Sequence, residues 1–421
     1  MRLLLAVLLM CWTGAGSQLQ DRLQAGSAAL GKGDLPVARA NLEEATRLDP
    51  KSASAWLLLA RTYAGQKDQA AALDAARKAE ALANGNPEIL QGLANLYAGP
   101  IPDPAKAATF GALYAERQPQ DATAWQRLAA FCLETGQPDR AIEAATRGLK
   151  AGNANPAALH DLLGRAYTER KQWERAGAEF AEAVKLNPYD EDLHFRRAQL
   201  YLLRQDWATA VNVLENARRY FDKSPQIELA LGVARYGQRD FPDAIDQFLK
   251  TIRIAPDVPQ PYIFLSRILE NAGDRLPEIA QRFAELQSRH PKQPLGYILH
   301  AKALIAQMPP AVAPEAARPV LDLLDQALTL EEANSEAHYL AGIVLEREGE
   351  YGKAADHLER AVALDKSNAA AHYHLARVYA RLGRRQDSER ERLLHEKLSN
   401  GVDASDARGI LTPPAKAPAG K

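Results

Sequence analysis

The chain has 421 residues, and its 52 Lys and Arg against 53 Asp and Glu leave a net charge of −1. That balance excludes a broad basic surface for nucleic acid and an acidic block for a basic partner; the charges are interspersed, as on solvated helix faces. Abundant Ala, Leu, Glu, Arg and Gln favour helix throughout.

Taken from the start, Arg2 and the apolar run Leu3–Trp12 are followed by the small residues Ala15 and Ser17. This pattern predicts a signal peptide over 1–17, cleaved before Gln18, and hence export to a periplasm or outright secretion. The run is too short to span a bilayer as a mature helix. Leu9 and Met10 disfavour lipid attachment at Cys11. Once the leader is removed, Cys132 is the sole cysteine, so no internal disulfide forms, and its place in an apolar pattern predicts a core residue.

From Gln18 onward, pairs of amphipathic helices follow one another, separated by polar turns such as KGD, KQWE and RDFPD. The segment 99–106 (GPIPDPAK) replaces one tight turn with a proline-stiffened loop. A second irregular segment, 306–320 (QMPPAVAPEAARP at its centre), is either a rim loop or a hinge. The return of helical pattern at Leu321, Leu324, Ala327 and Leu328 favours the loop. The last helix, SERERLLHEKL, is polar enough to cap a stack. The tail 401–421 lacks helical period and is expected to be disordered.

The pairs are copies of one unit. A small residue recurs at Ala60, Ala94, Ala129, Gly164, Ala198, Gly232, Ser266, Ala301, Gly342 and Ala376, at steps of 34 or 35 with one of 41. Four residues before it runs the ladder Trp56, Leu90, Trp125, His160, His194, Glu228, Tyr262, Tyr297, His338 and His372. Three residues after it, tyrosines recur at 63, 97, 167, 201 and 379. Such self-similarity means a solenoid, in which each unit buries its stripe against its neighbours.

In the unit 157–190, Leu163, Gly164, Tyr167, Ala176, Phe180, Ala183 and Pro188 match the pattern of the tetratricopeptide repeat (TPR) family, with His160 at that family's Trp position. The chain therefore resembles a TPR protein of exported bacterial type over 18–400. The resemblance implies an all-α, right-handed superhelical solenoid of about eleven helix-turn-helix repeats. It also implies a concave surface lined by the first helix of each repeat, which holds an extended peptide or a partner's segment.

No glycine-rich phosphate loop, HExxH, cysteine pair or serine elbow is present, and the carboxylates are scattered. No cofactor or metal is expected. Four of the nine histidines occupy the planar ladder position, and His372 and His374 point roughly 200° apart on their helix. The residues after the ladder and small positions lie four apart on one face of the first helix. From these the partner-binding candidates are Arg165, Gln199, Arg267, Ile298, Lys302, Tyr339, Tyr373 and Arg377, an apolar and aromatic strip with interspersed cations. The expected function is a non-catalytic scaffold for a protein or peptide. The alternative is a subunit of an envelope machine for export, polysaccharide secretion or outer-membrane assembly. An enzymatic site on the irregular segments has no nucleophile, base or metal set to support it.

Overall fold

A computed structural model describes residues 2–152 and 155–399, with side chains from Ser17 onward; the expected tail and most of the leader's side chains lie outside that description. All regular structure among the described residues is helical, in eleven successive pairs. The chain divides into two compact units between Leu193 and His194.

The first unit comprises α1 (Arg2–Gly31), α2 (Leu35–Leu48), α3 (Ala53–Gly65), α4 (Gln69–Leu82) and α5 (Pro87–Ala98). It continues with α6 (Pro104–Arg117), α7 (Ala122–Glu134), α8 (Pro138–Ala151), α9 (Pro156–Glu169) and α10 (Trp173–Leu186). Helix α1 runs through the expected cleavage junction without a break. The division falls in the first turn of α11 (Glu191–Leu203), and the second unit continues with α12 (Trp207–Arg218), α13 (Pro225–Gly237), α14 (Phe241–Ile254), α15 (Gln260–Arg267) and α16 (Leu276–Arg289). They are followed by α17 (Pro294–Gln307), α18 (Pro314–Leu330), α19 (Ser335–Glu348), α20 (Tyr351–Leu364), α21 (Ala369–Arg381) and α22 (Arg385–Ser399).

The helices begin where the sequence supplies a cap. Asp34, Ser52, Asp68, Asn86, Asp103, Asp121, Asn155, Asp206, Ser224, Asn334 and Asn368 each accept a backbone N–H from the first turn. Proline follows the cap in several of them, where its missing N–H costs nothing. The turn within each pair recurrently sets one residue in the left-handed region, among them Gly136 (φ 64°), Lys171 (φ 56°), Gln205 (φ 59°), Arg239 (φ 62°) and Gly349 (φ 89°).

Small residues at the repeat's small position bring the paired helices together. A Cβ on Gly164 would lie 2.7 Å from the Phe180 ring, one on Gly232 2.5 Å from Phe248, and one on Gly342 2.5 Å from Leu358. Glycine stands where the residue facing it from the second helix is large. The cores grade from alanine-rich (Ala72, Ala75, Ala76 and Ala79) in the first unit to aromatic in the second. There Phe248 stacks on Phe264 at 5.0 Å beside Tyr262 and Phe283.

Three departures from the regular pattern are visible. The first irregular segment is shorter than its sequence suggests, because α6 starts at Pro104. The second is confined to 308–313, since Ala306 and Gln307 belong to α17 and residues from Pro314 onward to α18. Arg347 pins that loop: its Nη1 donates to the carbonyl of Ile305 at 2.9 Å, and its own carbonyl accepts from Val312 N at 3.1 Å. The third departure was not anticipated: after Arg267 the helix breaks into 3-10 turns over Leu269–Asn271 and Gly273–Arg275.

Candidate functional site

The first helices of neighbouring repeats touch one another within each unit: α3 with α5 and α7 with α9 in the first, and α13, α15, α17, α19 and α21 in series in the second. Within each unit the position after the small ladder is exposed at Arg61, Asn95, Arg165, Arg267 and Arg377, but it is buried in the core at Ile343.

In the first unit this row reads Arg61, Asn95, Ala130 and Arg165. Arg61 and Arg165 are exposed and make no ion pair among the described residues. Asn95 Oδ1 accepts from Arg127 Nη1 at 3.4 Å. The neighbouring row is less open than its sequence implies. Leu57 is buried, because its Cδ2 occupies the space that a Cβ on Gly92 would enter, 2.3 Å away.

In the second unit the other seven candidates separate by role. Arg267 is exposed and without an ion pair, and Gln199 is half-buried. Lys302 Nζ is bound by Glu336 at 2.9 Å. Ile298 must be withdrawn from the open face: it is 6% exposed and packs in the core with Ala317, Val320 and Leu340, because α18 and α19 close over it. Tyr339 is half-buried between two cores. Burial, reinforced by Glu336 and Glu346, pushes its hydroxyl up to about 12.

Tyr373 and Arg377, in contrast, lie at a polar and aromatic cluster over α19, α21 and α22. Tyr373 is 44% exposed, with Arg377 over its ring at 5.6 Å and the His374 and His395 rings at 5.4 and 5.3 Å. Beneath them Glu346, whose side chain is 8% exposed, binds His374 Nδ1 at 2.6 Å and Arg377 Nε at 3.2 Å. The sequence reading missed Glu346, His374 and His395. Glu346 meets partners 28 and 31 residues on, diagonally across the repeat, so a step of 34 does not align them.

Elsewhere a cleft of about 320 Å³ lies among α2, α3 and α4, walled by Trp56 and Tyr63. Its polar groups are engaged internally: Lys78 sits 4.3 Å over Trp56 and pairs with Asp74 at 2.7 Å, and Glu43 accepts from Tyr63 and pairs with Arg39. Cys132 is fully buried as expected, and burial pushes its thiol up, so it is no nucleophile. Among the described residues no three His, Cys, Asp or Glu side chains gather as a metal site, and no helix is long and apolar enough to cross a membrane.

A family model described as tetratricopeptide repeat matches residues 23–87, 133–191 and 195–259, and a TPR repeat model matches 347–383; together they cover more than half of the chain. No curated protein matches significantly. Among solved structures, the chain is similar to the C-terminal part of a TPR repeat-containing protein from Cytophaga hutchinsonii (17% identity, 69% of this chain and 99% of that one, TM-score 0.46). It is also similar to a thermophilic TPR protein from Thermus thermophilus (22% identity, 45% and 97%, TM-score 0.37). A third is a tetratricopeptide repeat protein from Parabacteroides merdae (14% identity, 69% and 98%, TM-score 0.37).

Proposed function

This chain belongs to the tetratricopeptide repeat family, and on that premise we propose that it is a non-catalytic scaffold binding a peptide or partner-protein segment on its first-helix faces. The observation that carries this reading is a set of side chains left open at one repeat position. Arg61, Arg165 and Arg267 project from three first helices at that one position, each exposed and without an ion pair among the described residues. An uncommitted guanidinium presents a planar fork of donors suited to carboxylates and backbone carbonyls. The exposed Tyr373 adds an aromatic anchor of the kind that dominates interface energetics. The irregular segments 99–103 and 308–313, read GPIPD and MPPAVA, offer no nucleophile and base pair that would support an enzyme.

The test is a cross-linking pull-down from the native organism with the full chain as bait. A partner retained by wild type and lost from Arg61→Glu/Arg165→Glu or from Arg267→Glu/Tyr373→Ala supports the first-helix faces. An identical partner set for all baits places binding elsewhere and overturns the reading.

The leader-like residues Arg2, Leu3–Trp12, Ala15 and Ser17 favour a more specific version: an exported TPR subunit of an envelope export, polysaccharide-secretion or outer-membrane assembly machine. Mass spectrometry of the protein recovered from its native cells tests it. A mature chain starting at Gln18 supports export, and a chain retaining Met1–Ser17 in the cytosolic fraction contradicts it.

A further inference from the structure

His338 on α19 and His357 on α20 face each other across one helix pair with their Nδ1 atoms 3.1 Å apart. Only one proton fits between them. His338 Nε2 lies 3.1 Å from the carbonyl oxygen of Glu332, an atom that can only accept, so Nε2 carries the His338 proton and its Nδ1 is the lone-pair atom. This is how a metal-binding imidazole is prepared: one nitrogen is tied as a donor to a backbone carbonyl, which leaves the other free to coordinate.

The pairing is particular to this repeat. The position nineteen residues after the ladder residue holds Ala75 and Ala144 where Trp56 and Trp125 stand, and Glu179 and Glu391 opposite His160 and His372. Only opposite His338 does it hold a second imidazole. We propose that His338 and His357 form a two-imidazole chelate for a borderline divalent cation of the Zn²⁺ type, with water completing the coordination sphere. Two nitrogens each about 2.0–2.1 Å from a tetrahedral zinc stand roughly 3.3–3.4 Å apart. The observed separation reaches that by a small turn of either ring. On coordination His357 moves its proton from Nδ1 to Nε2, so no net proton leaves.

The surroundings suit a cation. Both rings are partly exposed, which gives water and metal access. Burial and the neighbouring His338 hold His357 below the usual imidazole range, so that it is uncharged at neutral pH; Asp325 of α18 and Asp356 of α20 are the carboxylates acting on it.

The experiment is isothermal titration of ZnCl₂ into the full chain at pH 7.5, for wild type, His338→Gln, His357→Gln and, as a control on the other histidines, His300→Gln. Wild type and His300→Gln are expected to bind one zinc. Each pair variant should be weaker by at least the roughly 10–100-fold that loss of a mere outer-shell partner costs. Equal binding by all four chains, or none by wild type, overturns the proposal and leaves a proton-sharing pair. Should a variant lose its helical circular dichroism, imidazole NMR of wild type decides. Zinc must shift the His338 and His357 ring signals, and shifts confined to other histidines overturn the assignment.

Discussion

Trp125 donates its indole N–H to the carbonyl of Pro119, six residues back, at 3.0 Å. The same span is bridged by Trp56 to Pro50 (2.9 Å), Tyr262 to Pro256 (2.8 Å), Tyr297 to Pro291 (3.1 Å), His338 to Glu332 (3.1 Å) and His372 to Lys366 (3.3 Å). At these six repeats the ladder position carries a flat side chain with a donor at its far end, which ties the first helix to the turn after the preceding helix. Trp125→Phe removes the donor together with the pyrrole part of a buried ring. It should destabilise the chain by about 0.5–1.5 kcal/mol, read from urea unfolding; an unchanged midpoint would mean that this bond contributes nothing there.

Gly164 and Phe180 make the corresponding test of the core. Even a single methyl at Gly164 meets the ring at 2.7 Å, so Gly164→Leu overpacks its helix pair and should cost about 1–3 kcal/mol. Because stability in such a stack is largely local, hydrogen exchange should accelerate most in α9 and α10. Thermal and denaturant unfolding identical to wild type would refute the packing assignment.

Lys171, at φ 56°, sits exposed in the left-handed turn conformation that Gly136 and Gly349 adopt in other repeats. A side chain there costs roughly 1–2 kcal/mol of backbone strain, partly offset because glycine loosens the unfolded chain. Lys171→Gly should accordingly stabilise by about 0.5 kcal/mol. Differential scanning calorimetry checks the sign: a lower melting temperature would show that the lysine makes a favourable interaction.

His357 gives the fold a pH dependence in metal-free buffer. Its folded-state affinity for a proton is lowered by burial and by His338. Above the unfolded imidazole value of about 6.5 neither state is charged and the full stability is present. As pH falls below that, the unfolded chain gains its proton first, and stability is lost until the folded value is passed. His357→Gln should therefore show a shallower fall of melting temperature between pH 7.5 and 5 than wild type; parallel curves would assign the pH dependence to other groups.

The repeat period, the small ladder and the buried Cys132 were legible in the sequence, because each is a recurrence or a composition effect. Partnerships across the repeat were not. Glu228 is fully buried at the ladder position and is held by Lys250, 22 residues on. The same spacing sets Lys78 over Trp56 and Arg147 over Trp125. Reading the ladder together with the positions nineteen and 22 residues beyond it would have exposed these pairs and explained the histidines. Ile298 was misplaced for a different reason. Its position on the first helix is the one that Tyr373 occupies, but α18 and α19 cover the one, while the other stays 44% exposed beside the His395 ring. Exposure at a repeat position depends on the neighbouring helices, which a periodic reading averages away.

The most direct test of the binding account is site-specific photo-crosslinking in native cells. A photoreactive residue would be placed at Arg165, Arg267 or Tyr373 on the first helices, and at Arg253 or Arg360 on the second helices. The account predicts one discrete partner adduct from the first-helix positions and none from Arg253 or Arg360. The same adduct from the second-helix positions, with none from Arg165, Arg267 or Tyr373, would contradict it.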